Sequence, residues 1–398
     1  MMQVIGLILT FALIIILSWK RVSTAKSLLA GSILLAILSG ISVQRYATVV
    51  LTTALDPQTI NLATIVAAIG ILGYCMRQTR LIDELVSGLG SILSGRALIG
   101  VIPAIVGLLP IPGGALFSAP LIEEEANRLH LSAEEKTIAN IVYRHIWFYI
   151  LPLSSPLILA AEIAQINLYQ LIAIQIPIFL VALGLGYAMV TRRIARTRDT
   201  SRGGSPRTAI VGLAPILIAV LLNVLGIPLA ISVGLGVLAT LVIKRAGARE
   251  SVKLLWRGIP WTLVQSILAV MILLSTIKDS AVVSALLDIT VNAKIPPVLF
   301  ATLVPFMLGS ITGLPIAGIG LSLPLALSLT GASAPPVVSL VVLSTYAGYY
   351  LSPLHLCLVL SNQYFRSRIQ HVYKTWIPYV LGVCGFGIAV DYYLLSLG

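Results

Sequence analysis

Apolar residues occur in ten long runs along this chain, and short polar segments separate the runs. Each run is close to the length of about 20 residues that a membrane-spanning helix needs. The pattern therefore predicts an all-α polytopic membrane protein with about ten spans. The predicted spans are 3–19, 26–43, 60–76, 141–165 and 168–191 in the first half, and 205–221, 228–245, 262–278, 343–367 and 370–393 in the second.

Two proline- and glycine-rich interruptions have the same internal arrangement. One runs from Gly107 to Pro120 and the other from Gly309 to Pro324, and both end in Ser-x-Pro. The two copies are separated by about 202 residues, which indicates an internal duplication. Paired interruptions in corresponding halves of a membrane protein point to the binding site of a transporter.

Each half is predicted to contain five spans, one interrupted segment and one span that proline breaks. The predicted units are an N-terminal repeat at 1–191 (interrupted segment 97–122, broken span 141–165), a linker at 192–207, and a C-terminal repeat at 208–398 (interrupted segment 296–330, broken span 343–367).

The interrupted segment 97–122 is too short to cross the bilayer twice, because two helical passes need about 40 residues. If it enters and returns on the same side, the arginine-rich linker 192–207 stays in the cytoplasm, as the positive-inside rule requires. We therefore predict two re-entrant hairpins. An odd number of spans per repeat then inverts the second repeat and leaves both termini outside the cell (inner or plasma) membrane.

Composition supports this class and excludes others. The chain is 58% hydrophobic and 10% charged, against a usual charged share of about 25%. Its net charge of +12 arises from basic residues in short loops between spans, which argues against nucleic-acid binding. The three cysteines have no disulfide or zinc spacing and are predicted to be buried small hydrophobes. No phosphate-loop, HExxH or GxSxG motif occurs, so we predict neither an ATP-driven pump nor an enzyme.

The breaks are the predicted site, because irregular backbone at membrane depth must be buried or line a wet cavity. Freed carbonyls can coordinate a cation, and helix N-termini can face an anion. The predicted binding residues at the hairpin tips and broken spans are Pro110, Pro112, Gly113, Gly114, Thr312, Gly313, Pro315, Gly318, Ser154, Ser155, Ser352 and Pro353. One hypothesis for the coupling ion is Na⁺ held by the backbone near Gly113, Ser154, Thr312 and Ser352.

Three ionisable residues join these candidates by their depth in the predicted spans. His355 lies about 16 Å from the inner end of its span, where it either handles substrate or protons or is a structural histidine. Arg144 and His145 lie nearer the inner boundary, and substrate contact and a topology signal are equal alternatives for them. Asp391 lies near the outer end of the last span and is predicted to be structural. No carboxylate is predicted at the midplane.

The segment Leu109-PIPGGALFSAP-Leu121, followed by Ile122 and an acidic run, resembles the membrane family labelled domain of unknown function 401. The repeat plan resembles the ion transporter superfamily. This resemblance implies a homodimer and elevator-type alternating access, with the solute held between the hairpin tips and the broken spans. Neither tip contains the Ser-Asn-Thr of the dicarboxylate branch, so the substrate and sodium geometry of that branch are not carried over.

The predicted function is secondary active transport of a small anionic organic solute, coupled to a Na⁺ or H⁺ gradient. Its predicted partners are the lipid bilayer and the solute, with no cofactor beyond the coupling ion. Two alternatives would use the same breaks: a passive channel, and the membrane subunit of a multi-component transporter.

Overall fold

The computed structural model describes residues 2–20, 22–93, 95–108, 114–194, 205–282, 296–331 and 334–397, with the isolated positions 284, 285, 288 and 292. Over these residues the protein is helical and has no strand. The helices of the first half are α1 (Met2–Trp19), α2 (Thr24–Leu38), α3 (Val43–Leu55), α4 (Pro57–Gln78), α5 (Leu81–Gly90), α6 (Gly95–Gly107), α7 (Gly114–Arg128), α8 (Ala133–His145), α9 (Ser155–Ala164) and α10 (Leu168–Met189).

The helices of the second half follow the order of the first. Every first-half helix except α5 has a counterpart, and the region that would match α5 lies mostly outside the described residues. The second-half helices are α11 (Pro206–Val224), α12 (Leu229–Ile243), α13 (Ala248–Gly258), α14 (Trp261–Asp279), α15 (Pro297–Thr312), α16 (Pro315–Thr330), α17 (Pro335–Leu351), α18 (Leu356–Phe365) and α19 (Ile369–Ser396).

The predicted spans correspond to helices at all ten positions, with ends that differ by a few residues or, in the two broken spans, by as many as eight. By length and composition, six helical segments of the described chain can cross a membrane, and α1, α2 and α12 are shorter apolar helices. Both predicted broken spans consist of two helices separated by an irregular segment. The six segments are α4, α10, α11, α14, α19 and the α17–α18 pair.

Two helices were not expected from the sequence. The regions of α3 and α13 were assigned to connections, because neither contains a long continuous apolar run. In the structure α3 exposes Val43, Leu51 and Leu55, and α13 exposes Val252 and Trp256. Apolar side chains on the exposed face of a short helix are typical of a helix that lies at the membrane interface.

The sequence Ser132-Ala-Glu134-Glu135 predicts a capping box, and the structure has one at the start of α8. The Ser132 hydroxyl accepts a hydrogen bond from the backbone N–H of Glu135 at 3.2 Å, and the Glu135 carboxylate accepts one from the backbone N–H of Ser132 at 2.8 Å. This reciprocal pair satisfies two N–H groups that a helix start leaves without intrahelical partners. It fixes the start of the helix that carries Arg144 and His145.

The same close helix contact occurs in both halves. A Cβ atom at Gly107, the last residue of α6, would lie 2.3 Å from the carbonyl oxygen of Arg144 on α8. A Cβ atom at Gly309 on α15 would lie 2.3 Å from the carbonyl oxygen of Thr345 on α17. Only glycine permits backbones to approach so closely. Each interrupted segment is therefore held against the broken span of its own half.

Polar side chains join the two halves beside the broken spans. The Asn140 side chain accepts a hydrogen bond from Ser118 at 2.6 Å and donates one to Ser361 of the second half at 2.8 Å. The Thr137 and Ser367 hydroxyls are 2.8 Å apart. All of these residues are buried. Because buried polar groups need partners, this network favours one arrangement of the two halves.

Candidate functional site

Both broken spans are unwound at corresponding positions. In the first half α8 ends at His145, a 3₁₀ turn follows at Ile146–Tyr149, and α9 begins at Ser155. In the second half α17 ends at Leu351, and His355 precedes the first residue of α18. Pro152 and Pro353 lie in these breaks, where their missing N–H groups remove no intrahelical bond.

A cavity of about 270 Å³ lies between the two breaks and the predicted tip of the second interrupted segment, which lines it with Gly313 and Pro315. Most of its wall is apolar or aromatic, as is usual for sites that bind small molecules. No Asp or Glu is among the described residues that line it. The polar side chains in the wall are Arg144, Trp147, Ser154, Ser155, Tyr349 and Cys357.

Arg144 supplies the fixed positive charge of this cavity. The residue is only 6% exposed. Its guanidinium group lies against Gly114, where a Cβ atom would be 2.2 Å from Nη2. Gly114 therefore provides the space that the guanidinium occupies at the start of α7. A planar, always-charged group in an apolar wall is suited to bidentate recognition of a carboxylate or phosphate.

The two halves each contribute one histidine to a buried pair. The Nε2 atoms of His145 and His355 are 3.2 Å apart, and the side chains are almost fully buried. His145 Nδ1 donates to the carbonyl oxygen of Ile141 at 2.5 Å. In the neutral pair this bond makes His145 Nε2 the acceptor and His355 Nε2–H the donor. The rings around the pair are Phe148, Tyr349, Tyr350 and Trp376.

Cys357 extends this pair into a cluster of three potential ligands. Donor atoms of His145, His355 and Cys357 lie within 4.8 Å of one another. Two imidazoles and a thiolate suit zinc or copper(I), and without a metal the two rings can share a single proton. The expectation that all three cysteines are buried hydrophobes is wrong for Cys357, which is partly exposed in the cavity wall. The short spacing from His355 to Cys357 within a predicted break was the available sequence signal.

We expect an anionic methanethiosulfonate reagent to modify Cys357 alone. Cys75 and Cys384 are 0% and 2% exposed, whereas Cys357 faces a cavity that contains the Arg144 charge. Mass spectrometry of the labelled protein measures the site, and Cys357→Ser serves as the control that should remove labelling. Equal labelling of wild type and Cys357→Ser would contradict the assignment of Cys357 to the cavity wall.

Some of the other predicted residues line the cavity, and others form hydrogen bonds with nearby backbone. Ser154, Ser155, Gly313 and Pro315 line the cavity. Gly313 has φ +61°, a left-handed conformation that ends α15 and suits glycine. These four residues and Arg144 are the predicted site residues that line the cavity, while His145 and His355 form the buried pair.

Two predicted hydroxyls are bonded to nearby backbone. Ser352 donates to the carbonyl oxygen of Ser310 at 2.5 Å, and Thr312 donates to that of Leu308 at 2.6 Å. Gly318 packs against Thr345, whose Cγ2 would lie 2.5 Å from a Cβ atom at this position. Pro353 is exposed outside the cavity lining. Most of the first predicted tip lies outside the described residues, namely Pro110, Pro112 and Gly113.

Apolar helices of membrane-spanning length, together with paired breaks around a largely apolar cavity, define an integral membrane protein. The family model described as "Protein of unknown function (DUF401)" matches residues 3–392, so the chain belongs to this family. Its fold is similar to that of the Alcanivorax borkumensis YdaH transporter, whose crystal structure is described as having an unusual topology. The TM-score is 0.61 at 14% sequence identity, over 89% of this chain and 90% of that one. No curated protein matches the chain.

Proposed function

We propose that this protein is a secondary active transporter of a small anionic organic solute. The observation that carries the proposal is the buried Arg144 guanidinium in a cavity whose described lining contains no carboxylate. A charge within a membrane protein usually marks a substrate or ion pathway. The solute anion would complement this charge, and the apolar wall would contact its organic part.

The transport cycle we propose is of the elevator type. The cavity lies between two broken spans and an interrupted segment. The Gly107 and Gly309 contacts hold each interrupted segment against the broken span of its own half. The fold similarity to a transporter supports the transport function from which this mechanism is proposed. In the proposed arrangement both interrupted segments are re-entrant hairpins, the second half is inverted relative to the first, and the protein is a homodimer. Na⁺ or H⁺ supplies the driving gradient.

Uptake into proteoliposomes tests the function. Purified protein would be reconstituted, a Na⁺ or pH gradient imposed, and a panel of labelled mono-, di- and tricarboxylates and phosphorylated acids screened. Gradient-driven accumulation of an anion, with cations of similar size excluded, is the expected result. Flux that never exceeds equilibration, or ion current far above carrier turnover, would instead indicate the passive channel.

The proposed topology makes a separate prediction about the linker 192–207. We expect single cysteines placed there, in a background without native cysteines, to react with a membrane-impermeant reagent only after the cell membrane is opened. The reason is that six arginines in one short linker strongly favour the cytoplasm. Cysteines at Gly226 and Gly331, which are turn positions with open space, are predicted to label from outside. Labelling of the linker in intact cells would refute the inverted arrangement.

A further inference from the structure

A second polar group lies apart from the cavity, where α10, α17 and α19 pack together. Asp391 on α19 is 0% exposed, and neither of its carboxylate oxygens has a hydrogen-bond partner among the described residues. Gln175 on α10 and Ser339 on α17 are also fully buried, and their side-chain polar atoms have no partner either. Buried polar groups are almost always hydrogen-bonded, so three such side chains require an explanation.

The packing of the three helices places these side chains at one level. Leu185 of α10 packs at Gly382 of α19, and Ile178 packs at Gly387, so the two helices are antiparallel. One turn beyond Gly387 along α19 is Asp391, and the corresponding turn of α10 contains Gln175.

Helix α17 reaches the same level from the other side. Leu343 of α17 also packs at Gly387, and the Trp376 indole N–H donates to the carbonyl oxygen of Tyr350 at 2.7 Å. These two contacts make α17 antiparallel to α19. One turn from Leu343, in the direction of Asp391, is Ser339, which therefore lies at the same level as Asp391 and Gln175.

Among the described residues, the two helices that pack beside Asp391 supply no counter-charge, because α10 and α17 contain no Asp, Glu, Lys or Arg. The nearest tyrosines on the packed helices are Tyr169 on α10 and Tyr346 on α17, and their hydroxyls bond Asn223 and the Phe148 carbonyl oxygen. On α19 itself, Tyr392 bonds Thr302 of α15.

The acidic residues of α8 are far from Asp391. Glu134 and Glu135 of α8 lie beside His371 and Thr375, which are about 24–30 Å along α19 from Asp391. Burial without a counter-charge disfavours the carboxylate relative to the neutral acid.

We propose that Asp391, with Gln175 and Ser339, is a proton-binding site that supplies the coupling ion for transport. The acid form can donate to the Gln175 carbonyl or the Ser339 hydroxyl, whereas the ionised form must reorganise the contacts between α10, α17 and α19. Helix α10 follows the first broken span in the chain, and α17 is the first helix of the second broken span. A proton carried with an anion also reduces the net charge that moves across the bilayer. The coupling role rests on the proposed transport function, and the proton site does not.

Infrared difference spectroscopy tests the site on the full-length reconstituted protein without any solute. We expect wild type to show a protonated-carboxyl band at neutral pH that Asp391→Asn removes and Glu162→Gln, a half-buried carboxylate elsewhere, retains. Gln175→Leu retains the Asp391 carboxyl but removes the amide. A shift in the frequency of the carboxyl band in this variant is expected if the Gln175 amide is the hydrogen-bond partner of Asp391. Absence of the band in folded wild type, or its persistence in Asp391→Asn, would overturn the proton site.

Uptake then tests the coupling role. We expect an inward pH gradient to stimulate anion uptake several-fold in wild type and Glu162→Gln, and not at all in Asp391→Asn. Full stimulation of Asp391→Asn, or stimulation of wild type by Na⁺ in the absence of a pH gradient, would refute the coupling role. If wild type transports no solute while the Asp391 band is present, the transport function fails and the proton site stands.

Discussion

Replacement of Arg144 by Gln is expected to reduce the apparent affinity for the transported anion by about 30-fold or more. Loss of one partner from a buried ion pair costs about 2–5 kcal/mol, and each 1.4 kcal/mol corresponds to about tenfold in affinity. Arg144 is 6% exposed, so solvent screens its interaction with an anion only weakly. The measurement is the concentration dependence of uptake in proteoliposomes.

A second variant at Arg144 separates the effect of charge from that of shape, and a variant at Arg45 serves as the control. Arg144→Lys keeps the charge but loses the planar guanidinium with its paired N–H donors. If the anion contact is bidentate, we expect a loss of apparent affinity between those of wild type and Arg144→Gln. Arg45→Gln is the matched control, because Arg45 is an exposed arginine paired with Asp279 on the protein surface. Thermal unfolding in detergent verifies that each variant is folded. Unchanged affinity in a folded Arg144→Gln protein would remove the observation on which the anion assignment depends.

Alanine at Gly309 is expected to destabilise the protein by about 1–3 kcal/mol or more, the usual cost of overpacking a close contact. The added Cβ would lie 2.3 Å from the Thr345 carbonyl oxygen and 3.0 Å from the Tyr349 backbone nitrogen. These are backbone atoms, so no side-chain rotation can relieve the overlap. Helices α15 and α17 would have to separate, and Gly313 at the cavity would move with α15. We therefore expect a lower Tm and weaker anion uptake together.

Gly234→Ala provides the matched control for this substitution. Gly234 is also inside a helix, α12, but no atom lies within 4 Å of the position that its Cβ would occupy. Alanine there should leave Tm unchanged or raise it slightly, because glycine is the poorer helix former by about 1 kcal/mol. Gly107→Ala tests the corresponding contact in the first half. If Gly309→Ala and Gly234→Ala unfolded at the same temperature, the close contact would not contribute to stability.

Much of the helical plan could be predicted from the sequence, because apolar runs of membrane-spanning length are strong signals. The positions of the spans, the capping box at Ser132 and the presence of breaks near Pro152 and Pro353 follow from local residue types. Helices α3 and α13 could not be found this way, since their apolar residues do not form long runs. The re-entrant course of the interrupted segments and the inversion of the halves stay predictions that depend on charge distribution.

The site was only partly predictable, because several predicted residues have local partners that depend on the fold. Arg144, Ser154 and Gly313 were selected from their breaks and depth, and the structure places them around one cavity. Ser352 and Thr312 were selected for the same reason, but their hydroxyls bond nearby carbonyl oxygens. Short polar side chains in helices commonly make such bonds, and the sequence alone cannot separate the two outcomes.

The sequence by itself determined most of the helical segments and that each broken span contains a break, and it predicts two similar units joined in one chain. These properties depend on neighbouring residues and on hydrophobic periodicity. Only the tertiary structure decided that His145 meets His355 and Cys357, that Arg144 faces a cavity whose described lining contains no carboxylate, and that Asp391 is buried at the level of Gln175 and Ser339. Each of these contacts joins residues far apart in the chain, so each depends on helix packing that no local pattern specifies.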